Sequence, residues 1–202
     1  MEIGTILAIA VAAFLFITLA QGVRQVPQGF KWVVQRLGKY HTSLKPGLNF
    51  IIPYVDSVAF KVTTKDIVLD IPSQEVITKD NAVLITNAVA YINIVSPEKA
   101  VYGVENYVIA IQTLVQTSLR SILGEMSLDD ALSSRDHIKS KLKAAISDDI
   151  ADWGITLKTV EIQDINPSGT MQSAMEEQAA AERARRATVT RADGDKQAAI
   201  LK

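Results

Sequence analysis

The feature that most constrains this chain is its start. From Ile3 to Val23 the sequence reads IGTILAIAVAAFLFITLAQGV, 21 residues without a charge. At ~1.5 Å per residue a helix of that length is about 30 Å long, the thickness of a bilayer's hydrocarbon core. A cleavable leader is the competing reading. It fits poorly, because Glu2 offsets the terminal amine, the apolar run is longer than a leader's, and no clean small-x-small site ends it. Residues 1–23 are therefore expected to be a retained transmembrane anchor, with Ile6, Leu7, Phe14, Leu15, Phe16 and Ile17 facing lipid.

Charge sets the orientation. After the apolar run come Arg24, Lys31, Arg36, Lys39 and Lys45, with no acid before Asp56. Basic residues flanking a span stay on the cytoplasmic side, so the bulk of the chain is expected in the cytoplasm of a cell with the span in its inner membrane. The same five side chains are candidates to face anionic headgroups. The formal net charge of −1 conceals this layout, because residues 56–166 carry 10 bases against 16 acids. So acidic a block argues against a nucleic-acid partner. The chain has no cysteine, which removes disulfides, thiolate metal sites and cysteine nucleophiles.

A second apolar stretch, LKPGLNFIIPYVDSV from Leu44 to Val58, raises a separate question. It is too short to span a membrane, since spans need ~20 apolar residues. Alternate side chains could build a core strand. Yet Phe50, Ile51, Ile52, Tyr54 and Val55 are interrupted only by Pro53, so both faces are apolar. A loop dipping into the inner leaflet is the favoured reading, with Leu48, Phe50, Ile51, Ile52, Tyr54 and Val55 touching lipid and Trp32 and Tyr54 at headgroup level.

The remainder reads as strands, then helices, then one more strand and a long helix. Residues 57–95 form a run of strands, and Asn87 and Asn93 fall on one parity of Leu84–Val95, which predicts a half-exposed face. Ser96-Pro97 starts a short helix ending at Gly103. Ile111, Leu114, Val115, Leu119 and Ile122 follow a helical period, Gly124 closes that helix, and Ser127 with Asp130 has capping-box spacing. Ile138, Leu142, Ile146 and Ile150 recur every four residues before a stop at Gly154. In Ile155–Ile165 the apolar parity shifts between Leu157 and Val160, which suggests a bulge.

After Asn166-Pro167 the chain becomes rich in Ala, Glu, Gln and Arg, all strong helix formers. A helix from about Thr170 onward has a thin apolar stripe: Met171, Met175, Ala179, Val189, Ala192 and Ile200. Such a helix buries too little surface to be anchored alone. Two readings stand: a palisade in which copies pack side by side through that stripe with Arg183 and Arg186, or a solvated tail.

No reaction chemistry stands out. His41 and His137 have no ligand-spaced neighbours, and no phosphate loop or nucleophile elbow is present. Glu125, Asp129, Asp130 and Asp136 lack calcium-loop spacing. A serine-based hydrolase would need a spatial dyad that the sequence does not nominate.

The segments VPQGFKWVVQRLGKYHTSLKPGLNFIIPYVD, LDIPSQEVITKDNAVLITNAVAYINI, LRSILGEMSLDDALSSRD, WGITLKTVEIQDINP and AMEEQAAAERARRA occur in this order. Together they resemble the stomatin/prohibitin/flotillin (SPFH) superfamily, in particular bacterial stomatin-like (QmcA-type) membrane proteins. The chain departs from the family pattern at Ala192-Asp193-Gly194, where A-E-G is usual, and at Asn166-Pro167-Ser168, where P-P is common. The resemblance implies an α+β fold: the anchor, a first SPFH subdomain at residues 24–95 against the membrane, a second at 96–167, and the start of a coiled-coil helix at 168–202. It implies a non-enzymatic scaffold that assembles with itself into a large ring or cage on membrane lipids, without cofactor. The rival it implies is a regulator that binds a membrane protease or an NfeD-type protein.

Overall fold

The computed structural model describes residues 2–200, with the side chains of Glu2, Ile3, Thr5, Ile6, Ala8, Ala10, Phe14 and Leu15 and those beyond Ala192 outside the described set. The expectations on Ile6, Phe14, Leu15 and Ile200 therefore lie outside it. The order is α1 (Glu2–Gly22), β1 (Val23–Val26), β2 (Phe30–Arg36), β3 (Lys39–Leu44), β4 (Gly47–Phe50), β5 (Asp56–Thr63), β6 (Ile67–Ile77), β7 (Val83–Ile94), α2 (Pro97–Tyr102), α3 (Tyr107–Gly124), α4 (Leu128–Ser133), α5 (Arg135–Asp152), β8 (Ile155–Pro167) and α6 (Gly169–Ile200). The fold is α+β.

Three antiparallel sheets organise the body: β1-β4, β3-β2-β5 and β6-β7-β8. In β7 the period of two is unbroken, with Leu84, Thr86, Ala88, Ala90, Ile92 and Ile94 all buried. Ala88 and Ala90 leave room for helices to approach the middle of the sheet. The buried stripes of α3 (Ile111, Val115, Leu119) and α5 (Ile138, Leu142, Ile146, Ile150) fill that space. Asn87 and Asn93 lie on the opposite, half-exposed face, as their parity predicts. The parity shift in the last strand is a register shift between Tyr91 and Ile92, where Lys158 is left over opposite β7. Ser127 caps α4 by accepting from the Asp130 N–H. Gly154 closes α5 at φ +69°, and any Cβ there would meet Ser96 at 2.7 Å.

One sheet, β6-β7-β8, spans the expected division at residue 95. Strand β7 pairs with β6 on one side and, on the other, with β8, which arrives some sixty residues after β7. The larger unit therefore runs from β6 to β8, and the smaller one holds β1 to β5. Parity identifies a strand without saying which strand it will pair with. The two units share β2. Val33 faces the larger core with Val62, while its neighbour Val34 faces a smaller core with Val26, Leu44 and Ile51. Successive side chains of a strand point to opposite faces, so a strand between two cores must be apolar on both.

At the root of α6, Met171 and Met175 pack half-buried against the larger core of their own chain. The Ser168 N–H donates to the Val83 carbonyl at 2.9 Å and fixes where the helix leaves the sheet. From Arg183 to Ala192 every side chain is exposed.

Thr86 is fully buried, and its hydroxyl is the one buried side-chain polar atom without a hydrogen-bond partner among the described residues. Replacing it with the similarly shaped valine removes that unsatisfied group. Thr86→Val is expected to raise stability by about 1 kcal/mol, read from urea unfolding in detergent. A clear loss of stability would show that the hydroxyl has a partner.

Candidate functional site

Helix α1 ends at Gly22 and β1 begins at the next residue. Strand β1 pairs with β4 in the register Val23 to Phe50, Arg24 to Asn49, Gln25 to Leu48 and Val26 to Gly47. One further bond extends this ladder: the Ile51 N–H donates to the Gly22 carbonyl at 2.8 Å. The approach is so close that a Cβ at Gly22 would lie 2.6 Å from both the Ile51 carbonyl oxygen and the Phe50 ring. Residues 50–54 are thereby held against the last turn of α1. Thr18, Leu19, Phe50, Ile52, Pro53 and Tyr54 enclose an apolar hollow of about 340 Å³.

Within this stretch the side chains divide. Leu48, Phe50, Ile52, Tyr54 and Val55 are exposed, with Leu48 at 78% and Tyr54 at 76%. Ile51 is 5% exposed and belongs to the smaller core. Its expected contact with lipid is corrected: the Gly22 bond turns the Ile51 side chain inward between Val26, Val34 and Leu44. Ile51 is thus a core residue of this stretch, while its apolar neighbours are left exposed.

Leu37 was not among the expected site residues. It sits at the β2–β3 turn with φ +49° and is 85% exposed. Its N–H donates to the Val55 carbonyl at 3.2 Å, which joins it to the same apolar surface. Tyr54 is also left-handed, at φ +67°. Bulky residues avoid that region, and such strain is of order 1–3 kcal/mol each. The signal available in the sequence was Gly38, which marks the turn but not the conformation of the residue before it.

Asp56 holds the loop in place. Its N–H donates to the Ile52 carbonyl at 2.9 Å, and its carboxylate accepts from the Ile52 N–H at 3.0 Å. The same carboxylate accepts from Arg36 Nε at 2.7 Å and Nη2 at 3.0 Å. The Arg36 bonds chiefly, then the Ile52 N–H, lower the Asp56 carboxyl to about 2.

The basic residues also divide. Arg24, Lys39 and Lys45 are exposed around the apolar surface. Arg36 is engaged by Asp56, and the Lys31 ammonium donates to the Val95 carbonyl at 3.1 Å. Trp32 is half-buried against the smaller core, with Lys61 Nζ 4.6 Å from its ring centroid. His41 and His137 are both exposed. Among the described residues no helix is long and apolar enough to cross a membrane, and no group of three metal-ligating side chains gathers.

A second surface lies at the root of α6. Open grooves flank the helix, both touching Met175 and Ala179. One, of about 490 Å³, has Asp80, Asp129 and Glu182 along it; the other, of about 500 Å³, has Glu176 and Arg183. Arg186 and Val189 lie exposed farther along the helix, and Ala192 follows them.

Comparison with known proteins points one way. The family model described as SPFH domain / Band 7 family matches residues 24–196. An uncharacterized protein of Methanocaldococcus jannaschii is 41% identical over 92% of this chain and 92% of its own length. A stomatin homolog of Pyrococcus horikoshii is 42% identical over 92% of this chain and 70% of its own. The human mitochondrial stomatin-like protein 2 is 39% identical over 87% of this chain, which spans 49% of that protein.

The Asp56 geometry makes a pH dependence. Its folded value lies below the ordinary carboxyl value of 3.8, so its contribution to stability is complete above that value and is lost as pH falls towards about 2. Asp56→Asn is expected to melt earlier than the parent at pH 7, with the difference closing between pH ~4 and ~2. A difference that persists unchanged at pH ~2 would contradict the assignment.

Proposed function

We propose, from the premise that this chain belongs to the SPFH domain / Band 7 family, that it is a membrane-anchored scaffold whose copies assemble side by side on a bilayer and organise a patch of lipid and protein. The observation that carries this reading is the exposed apolar surface held at the root of α1. An apolar patch of this kind on a folded body marks a contact with protein or membrane. Here it adjoins the uncharged run Ile3–Val23, whose length suits a single span.

Each element then has a place. Helix α1 crosses the inner membrane once, and Leu48, Phe50, Ile52, Tyr54, Val55 and Leu37 rest in the cytoplasmic leaflet. Arg24, Lys39 and Lys45 meet anionic headgroups there. The body lies in the cytoplasm, and α6 begins a coiled coil with neighbouring copies into a ring or cage. Anchoring in one plane raises effective concentration, so weak lateral contacts suffice. Its role is mechanical and organisational, with no catalytic residue assigned. A second reading, a regulator docked on a membrane protease or an NfeD-type protein, is favoured by Val68, Ile85 and Tyr91, which leave the outer face of the β6-β7-β8 sheet exposed.

Two measurements test the proposal. Residues 22–202 alone, which keep the Gly22 carbonyl and are checked for folding by circular dichroism, are expected to float with anionic vesicles. Ile52→Asp and Tyr54→Asp should each weaken that binding about tenfold, from lost apolar burial. Ile51→Asp should instead unfold the smaller core. Unchanged flotation of the Ile52 and Tyr54 variants would reject the membrane contact. Electron microscopy of the full chain extracted in detergent should show large closed particles, and only monomers or dimers would reject the assembly.

A further inference from the structure

We propose that Met171 and Met175 form a peroxide-reactive site, and that their oxidation to sulfoxides releases α6 from the body. The inference goes beyond the scaffold reading and holds whether or not copies assemble. It starts from where the chain places its methionines. Apart from Met1 there are three: Met126, Met171 and Met175. All three pack half-buried against the larger core, whose fully buried members are Ile, Leu, Val and Ala alone among the described residues. Met126 belongs to the same joint. Its carbonyl accepts from the Lys79 N–H at 2.9 Å, next to Asp80, and Asp80 lines a groove with Met171 and Met175.

Two properties meet at this pair. The first is access. Both thioethers line the groove of about 490 Å³ beside Asp80 and Leu128, and Met175 also lines the groove of about 500 Å³ on the other flank of the helix. A molecule as small as hydrogen peroxide reaches them there without unfolding the body. The second is consequence. Among the described residues of α6, only Met171 and Met175 pack against the larger core. Ala179 and Glu182 are half-buried further on, and from Arg183 to Ala192 every side chain is exposed. The apolar hold on this 32-residue helix is therefore two thioethers. Leucine forms helix as readily and packs with a better-defined rotamer, so packing alone does not call for methionine here.

The chemistry balances with the peroxide alone. The thioether sulfur donates a lone pair to one peroxide oxygen. An S–O bond forms, the O–O bond breaks, and the second oxygen leaves as water with both hydrogens. Sulfur loses two electrons and the peroxide gains them. The product is a polar, chiral sulfoxide, poorly suited to an apolar seat. Two sulfoxides at the groove beside Ala82 and Leu128 remove the hold on α6. The Ser168 N–H keeps its bond to the Val83 carbonyl, so the helix remains tethered at its start. Methionine sulfoxide reductases reverse the step, one enzyme for each epimer.

The test uses the full chain in detergent, treated with hydrogen peroxide, with peptide mass spectrometry and amide hydrogen exchange as readouts. Sulfoxides are expected at Met171 and Met175, with amides of residues 172–182 exchanging about tenfold faster than before treatment. Incubation with both reductases and a thiol should restore slow exchange. A chain carrying Met171→Leu and Met175→Leu should exchange slowly before and after peroxide. A chain carrying Met171→Gln and Met175→Gln should exchange fast without any oxidant. Sulfoxides that leave the exchange unchanged would overturn the release of the helix. Thioethers that stay intact while Met1 is oxidised would overturn the reactive site. Equal loosening of the leucine chain by peroxide would also overturn the proposal, by placing the cause elsewhere, as at Met126.

Discussion

The bond from the Ile51 N–H to the Gly22 carbonyl governs the rest of this structure. It carries the β1-β4 ladder up to the end of α1 and leaves no slack between helix and body. A flexible linker would let the body tumble relative to its N-terminal helix. Here the apolar loop is held at a fixed place beside that helix. The glycine is required, because any side chain there would strike Phe50 and the Ile51 carbonyl. The same bond decides that Ile51 enters the small core, and its neighbours Phe50 and Ile52 are then left outward.

Rigidity passes from that root through the molecule. Strand β2 is apolar on both faces because it separates two cores, Val33 serving one and Val34 the other. The Lys31 ammonium reaches the Val95 carbonyl, and Gln35 donates to the Tyr102 hydroxyl at 2.8 Å, so the smaller unit is also tied to α2. Tyr102 packs edge-on against Tyr40 and Phe60 at the same junction. At the far end, Met171 and Met175 fasten α6 to the larger core, and the helix projects from there with its arginines exposed. The direction of α1 and the direction of α6 are thus set by one continuous packed body.

What the sequence disclosed was local. The stripes of α3 and α5, the parity of β7, the Ser127 cap and the bulge opposite Tyr91 each follow from periods of 2 or 3.6 within a few residues. Relations over distance were hidden. Strand β8 pairs with β7 from some sixty residues away, so one sheet spans the expected division at residue 95. Ile51 could not be separated from Ile52 by composition, because only a backbone bond to Gly22 tells them apart. Leu37 was invisible for the opposite reason: leucine rarely adopts a left-handed backbone, so nothing in its identity announces the turn tip. The contact of Met171 and Met175 with their own body was hidden because a thin stripe has the same period whether it meets its own body or a neighbour.

The central claim is that the loop beside α1 meets lipid. The most direct measurement places a nitroxide on a single cysteine at Tyr54 or Val68, two exposed apolar positions of the smaller and larger units. Collision rates with oxygen and with a water-soluble nickel complex are then compared in liposomes carrying the full chain. The account predicts a label at position 54 that is oxygen-accessible and shielded from nickel, and a label at 68 open to nickel. Equal nickel accessibility at both positions would contradict it.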